Sequence, residues 1–590
     1  MKTRSEMNPD FLWDFTHIFS SDEEMKAEYA RCEELITELE GYAGRLAEGR
    51  EVFKEALGKL FEVHEKVEKV YIYAMLHFSA DGTDEYNQTI DFEATNLYVR
   101  LQTVTTPILN QIIKMDEETI SEYLRGEDMK TYLHTVEDMR RANEYTLDSD
   151  REIMLAKMSD FAQSPYNAFH AFNDGDITFP EITDEEGNKV RLTSGNFMVY
   201  RQSTERKVRR EAFESFFGVY RDHINLLANL YAGNVKYDNF LSELKGYDSA
   251  VHMALFGNNV PVSVYENLIS AMHDALPYMR DYLELRKKCL GMDEIDMFDL
   301  YVPMIDDVDY PMPFEEGKAL VKKALAPLGE EYAALLDMAY TDKWMDVYEH
   351  RGKRSGAFSC GLFGVHPYVL LNYTDTLNDA YTVAHELGHA MHSYLSDKTQ
   401  DYVNHDYSIL VAEVASTVNE VLMTLYLLEN ETDKKRRAYI LNQFLESFRT
   451  TVFRQTLFAE FELIAHSTHQ QGGALTSHSL SKIYYDLISE YYEGITIPDI
   501  MRYEWSYIPH FYTSYYVYQY ATGFCSAVAI AKHIKETGDT EGYLKFLTLG
   551  GSVYPLDALK VAGVDLTKPD TVKDAMELFK NTIDELRELV

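Results

Sequence analysis

The chain has 590 residues, more than one hydrophobic core can organise, so several subdomains are expected. Hydrophobic residues at 46% and charged residues at 26% are the mix of a soluble globular protein. A formal charge of −41 argues against nucleic acid as the main partner and disfavours anionic membranes, because phosphate surfaces require basic ones.

The opening residues lack the apolar core of a signal peptide, and no unbroken run of about 18 apolar residues suits a membrane span. Cys32, Cys289, Cys360 and Cys525 lie far apart with no CxxC pair, so they read as buried or free thiols. A cytoplasmic protein fits these features. The sequence leaves its oligomeric state open.

An aromatic segment over residues 10–20, with Phe11, Trp13, Phe15 and Phe19, reads as extended chain pinned by its rings. Ser21 and Glu24 then have the spacing of a capping box, which opens an amphipathic helix running toward Ala47. A second helix is expected from about Glu51 to Phe78, with Phe53, Leu57, Leu60, Phe61, Val67, Val70 and Tyr71 at three- and four-residue spacing. The stretch 81–84 breaks it, and a third helix follows to about Met115, bent near Pro107. Long helices with short breaks predict an antiparallel helical array. A coiled coil is the weaker alternative, since no strict heptad persists.

Residues 177–180 and 189–192 flank a turn near Gly187 and predict a β-hairpin. Helical patterning resumes at Thr204 through Phe213, Phe216, Phe217 and Tyr220, and again from Ser263. A Pro-rich acidic stretch over residues 303–313 precedes a helix to about Ala339. Residues 346–348, 356–359 and 368–373 are short β-type runs that predict a small sheet. An edge strand there, at Gly356, Ala357 and Phe358, could pair with the extended backbone of a bound peptide.

The sheet precedes His385-Glu386-Leu387-Gly388-His389, an H-E-x-x-H within a helix-tolerant run. Residues four apart share a helix face, so His385 and His389 can present two imidazoles to one metal ion while Glu386 reaches a water on it. A catalytic zinc site needs a third protein ligand. Leu395 stands where one class of zinc enzymes has a third histidine, which excludes that class. His392 lies on the same face but one turn further on, which suits a supporting role. Asp397, Asp401, Asp406, Glu413 and Glu420 are all in range for a carboxylate ligand. Glu413 and Glu420 stand out: they share a face of a mostly apolar helix, where one could ligate and the other orient a histidine.

Further on, residues 507–520 hold six tyrosines and His510. Tyr O–H and His N–H groups suit the oxyanion that forms when a peptide carbonyl is attacked.

Taken together these runs resemble the M3 family of zinc metallopeptidases, within it the oligoendopeptidase F group. The likeness rests on residues 352–359, 366–373, 385–392, 413–420, 453–462 and 508–512, in order from about residue 200 to 580. The first hundred residues add little beyond Trp13-Asp14. The resemblance implies a mainly α, two-lobed fold with a deep central channel, zinc at its floor and a small β-sheet beside the active-site helix. It implies an N-terminal helical region at 1–115, a helical segment with the hairpin at 116–200, and a catalytic region at 201–590. It implies one Zn2+ on His385, His389 and Glu413, with Glu386 as general base. His510, Tyr515 and Tyr518 match the groups that stabilise the oxyanion and grip the substrate. The His510 to Tyr515 spacing is shorter than in the thimet-oligopeptidase branch, so Tyr512 competes and is a further candidate for substrate binding.

The implied activity is hydrolysis of internal bonds in short peptides. An exopeptidase on a similar helical channel, or a peptide-binding scaffold without chemistry, are the alternatives.

Overall fold

The structure, a computed structural model, describes residues 2–305, 308 and 310–590. Three residues of the Pro-rich acidic stretch, Asp306, Asp307 and Asp309, therefore lie outside the described residues. Among the described residues the fold is mainly helical with two small sheets. Its contacts separate two compact units, each assembled from three stretches of chain.

The first unit comprises Met1–Glu144, Tyr310–Tyr426 and Ile530–Val564. Its N-terminal helices run over Asp22–Glu40, Arg50–Ala80 and Glu85–Lys114 and pack on one another. The expected capping box is only half formed. The Ser21 side chain accepts from the Glu24 N–H at 3.3 Å, but the Glu24 carboxylate accepts from the Ser20 N–H at 2.7 Å and not from Ser21. The first helix stops at Glu40 rather than near Ala47, because Gly41 closes it and Gly44 turns the chain at φ +82°. Pro107 is held inside the third helix.

The aromatic opening is pinned by Trp13, 5% exposed, whose Nε1 donates to the carbonyls of Trp344 at 3.1 Å and Val369 at 3.0 Å. Val369 lies in the small sheet and Trp344 directly precedes one of its strands. Its central strand Tyr368–Leu370 runs parallel to Met345–Asp346 and antiparallel to Phe358–Cys360, with Ser359 opposite Val369. Phe358–Cys360 is thus an edge strand. Gly361 continues it against the H-E-x-x-H helix, Leu377–Thr399, so closely that a Cβ there would lie 2.8 Å from the Ser393 Cβ. The helix expected to reach Ala339 is in fact two, Phe314–Ala324 and Glu330–Thr341, divided at Gly329 with φ +94°.

Helix Ile409–Asn430 is long and apolar enough to cross a membrane by composition, yet two-thirds of that window (67%) is buried inside the protein. It serves as a core helix.

The second unit comprises Tyr145–Asp309, Leu427–Ala529 and Asp565–Val590. The hairpin is present with its turn at Gly187, φ +86°, but its first strand is Glu181–Thr183, after the predicted 177–180. The Asp184 carboxylate fixes that register by accepting from the Asn188 N–H at 2.7 Å, and only Pro180 of the predicted run touches the ladder, through its carbonyl. Helices Arg206–Asp222, Ile224–Lys245 and Val262–Cys289 follow, with a break at His223 that the apolar pattern does not reveal.

Candidate metal centre

The H-E-x-x-H helix starts at a full capping box: the Thr376 hydroxyl accepts from the Asp379 N–H while the Asp379 carboxylate accepts from the Thr376 N–H at 2.9 Å. About three turns on, it crosses helix Ile409–Asn430 at Gly388. A Cβ at Gly388 would stand 2.5 Å from the Ser416 Cα and 2.7 Å from the Ala415 oxygen, so only glycine permits this approach. Asn419 fastens the crossing by donating to the Ala384 carbonyl at 3.0 Å, and its own oxygen accepts from the Tyr332 hydroxyl at 3.1 Å.

The crossing sets Glu413 against the two histidines. The Nε2 atoms of His385 and His389 are 3.2 Å apart, and the Glu413 Oε2 lies 3.7 Å from one and 3.9 Å from the other. Ligands about 2.0–2.1 Å from a tetrahedral ion stand about 3.4 Å from one another, so this trio fits such an ion closely. Both imidazoles are turned for it. His385 Nδ1 is hydrogen-bonded to Glu420, and His389 to the Ala412 carbonyl, which leaves each Nε2 facing the shared point. Of the two candidate glutamates, Glu413 thus stands at the point of convergence and Glu420 behind a histidine.

The charges agree with the geometry. Burial works against a proton on His385, yet the hydrogen bond and charge of Glu420, with Glu386 and Glu413, push it up to about 9. Burial and the neighbouring His385 push His389 down to about 3. Glu386 is 7% exposed; burial raises it to about 7, and Glu413 and Glu420 reinforce the rise against His385. Such an excess of negative charge around two imidazoles is what a divalent cation would balance.

His392, 1% exposed, stacks on Tyr407 with ring centroids 3.6 Å apart and is pushed down to about 3 by burial. It is a packing group beneath the trio. Ala357 and Phe358 line the same cavity as His385, Glu386, His389 and Glu413. Gly356, φ +84°, lies beside it in a smaller cavity with Ala357, and its carbonyl accepts from Asn372 at 2.8 Å.

The aromatic segment belongs to the second unit and is irregular: residues Asp499–Tyr507 and Pro509–Tyr512 are 3-10 turns, and a helix begins only at Tyr518. His510 is exposed, with the Tyr516 ring parallel at 6.2 Å and Tyr520 edge-on at 6.1 Å. Tyr512 is half-buried and stacks on Phe169 at 4.5 Å. Tyr515 takes φ +61°, unusual for a side chain of its size, and its N–H donates to Glu462 at 2.9 Å. Tyr515 and Tyr518 are 4% and 2% exposed, and both rings pack on Tyr265.

Sequence reasoning missed Gly388, Asn419 and Glu462. The first was visible as a glycine inside a strong helix, which usually marks close packing.

The model of peptidase family M3 matches residues 199–578, and that of oligopeptidase F matches 111–179. The chain belongs to peptidase family M3. As an M3 peptidase it is a metallopeptidase, in keeping with the His385, His389 and Glu413 donors. It is 41% identical to oligopeptidase PepF of Bacillus subtilis over all of this chain and 88% of that protein. It is 37% identical to an oligoendopeptidase F homolog of Lactococcus lactis, over 100% of this chain and 99% of the other. Among solved structures, a peptidase from Chlamydophila abortus, 32% identical, superposes with a TM-score of 0.93 over 100% of both chains. Oligoendopeptidase-F from Enterococcus faecium, also 32% identical, gives 0.75 over 96% of this chain and 99% of that one.

Proposed function

We propose that this M3 peptidase is a zinc endopeptidase that cleaves internal bonds of short peptides, with His385, His389 and Glu413 holding the ion and Glu386 acting as general base. The observation that carries this reading is the convergence of two Nε2 atoms and one carboxylate oxygen, with a nearly buried glutamate beside them in one cavity. Zinc held there supplies a Lewis acid for the carbonyl and eases deprotonation of water near neutral pH.

The remaining work falls to the chain. Glu386, nearly buried beside the three donors, takes the proton of the attacking water and hands it to the leaving nitrogen, breaking the C–N bond. Glu420 and the Ala412 carbonyl hold the two imidazoles in orientation. The edge strand at Phe358–Cys360, with Gly356 and Ala357 before it, pairs with the substrate backbone and sets its register. His510, with Tyr515 or Tyr518, donates to the oxyanion, and Tyr512 contacts the substrate.

The preference for short peptides is supported by the relatives described as oligopeptidases. A reducing, cytoplasmic setting is supported by four free cysteines. The organisation into regions 1–115, 116–200 and 201–590 is likewise proposed.

A mixed peptide library digested with and without a chelator, with cleavage sites read by mass, tests the reading. Internal cuts in peptides blocked at both ends, abolished by chelation and restored by zinc, are expected. Cuts confined to free ends would replace it with an exopeptidase.

A further inference from the structure

The H-E-x-x-H helix continues to serve the cavity beyond His389. Ser393 and Asp397 follow at the same four-residue step, so the strip His385, His389, Ser393, Asp397 runs along one face. All four line a single cavity of about 580 Å3. Around Asp397 that cavity is completed by Glu68, His405 and Asp406, and no Lys or Arg is among the described residues that line it.

Asp397 is the central group. Its side chain is only 8% exposed. Oδ1 accepts from His405 Nδ1 at 2.8 Å, while Oδ2 finds no hydrogen-bond partner. A buried carboxylate oxygen without a donor is costly, and such groups mark places where a ligand supplies the missing partner. Glu68 accepts from the Tyr402 hydroxyl at 2.6 Å through one oxygen. Burial raises Glu68, and Asp406 and Asp397 raise it further against Tyr402 and His405, so the three carboxylates crowd one another. The three carboxyl groups have one imidazole, that of His405, among them in the cavity lining.

Eight residues of helix from His389 to Asp397 cover about 12 Å, and an extended peptide advances about 3.3 Å per residue. A substrate that follows this strip from the metal trio would reach Asp397 within about four residues, or sooner through a long side chain that passes the Gly361 and Ser393 contact.

We propose that Asp397, Asp406 and Glu68 form a subsite for an alkylammonium or guanidinium group of the substrate, so that the enzyme favours peptides with a cationic group within about four residues of the cleaved bond. This rests on the zinc-peptidase reading and adds a substrate class to it. The cation supplies donors to Asp397 Oδ2 and relieves the repulsion among the carboxylates.

Three peptides of one sequence separate the sources. One is N-acetylated with a lysine, one has norleucine in its place with a free α-amine, and one has norleucine and is acetylated. The zinc-loaded enzyme gives kcat/KM for each, and the Glu386→Gln variant gives Kd. The lysine is moved one position at a time across the peptide. At its best position the acetylated lysine peptide, or else the free-amine peptide, should exceed the neutral one by roughly tenfold or more in both measures. That advantage should collapse in Asp397→Asn and in Asp406→Asn. Asp406 is exposed, so the second variant stands even where the first disturbs folding.

Equal values for all three peptides with turnover intact would overturn the subsite alone. So would an advantage that persists in both variants, since the charge of −41 attracts cations at long range without any subsite. No cleavage of any peptide would bring down the peptidase reading and the subsite with it.

Discussion

On the H-E-x-x-H helix the candidate side chains follow the period of the helix, whereas around His510 the proposed ones follow no period at all. His385 and His389 are one turn apart, and their partners arrive from a second helix at one glycine-permitted crossing. From Tyr507 to Tyr518 the backbone passes through 3-10 turns and a left-handed residue, and its shape depends on contacts from elsewhere in its unit, such as Glu462 on the Tyr515 N–H. A regular element specifies its site from within; an irregular one has its site specified by its surroundings.

The largest expected effect lies at Glu386. Glu386→Gln keeps a side chain of the same size but cannot take a proton, so kcat should fall by about 10²–10⁴ while metal content stays at one ion per chain. Single-turnover assays with elemental analysis check this, and near-normal turnover would remove Glu386 as the base. His510→Gln, in the irregular region, should lower kcat by about 10²–10³ with metal affinity unchanged. A parallel loss of metal there would mean that the His510 region also supports the metal donors. Glu420→Gln weakens the hold on His385 and should reduce metal affinity by about 10–100-fold, read by titration against a competing chelator. Gly388→Ala should be the mildest in chemistry yet visible in folding. Pushing the helices apart costs about 1–3 kcal/mol, seen as a lower melting temperature with looser metal binding. An unchanged melt would mean that the crossing yields without cost.

The same contrast explains what could be read from the sequence. The metal helix was legible because a four-residue step is a local property of the chain, and the resemblance covered the same residues. Glu413 and Glu420 share a face, so spacing alone left them equivalent; the crossing at Gly388 separates them by bringing one to the Nε2 atoms and the other to an Nδ1. The tyrosines were legible as a cluster only. With no period to divide them, the near-complete burial of Tyr515 and Tyr518 and the partial exposure of Tyr512 depended on Tyr265 and Phe169, more than two hundred residues upstream. The hairpin strand was displaced for a similar reason. Residues 177–180 have the right composition for a strand, but the Asp184 and Asn188 contact selects 181–183 as the paired segment.

The Gly388 crossing bears on what the metal does for the fold. In a small zinc domain the ion is the staple that closes the chain, and removing it unfolds the domain. Here the segment between His389 and Glu413 is already closed by two helices packed backbone to backbone and fastened by Asn419. An ion bound there would join donors that the helix crossing already holds together, so its loss should cost activity before it costs the fold. A chelated sample is therefore expected to lose turnover while keeping its helical circular dichroism, and added zinc should restore the turnover.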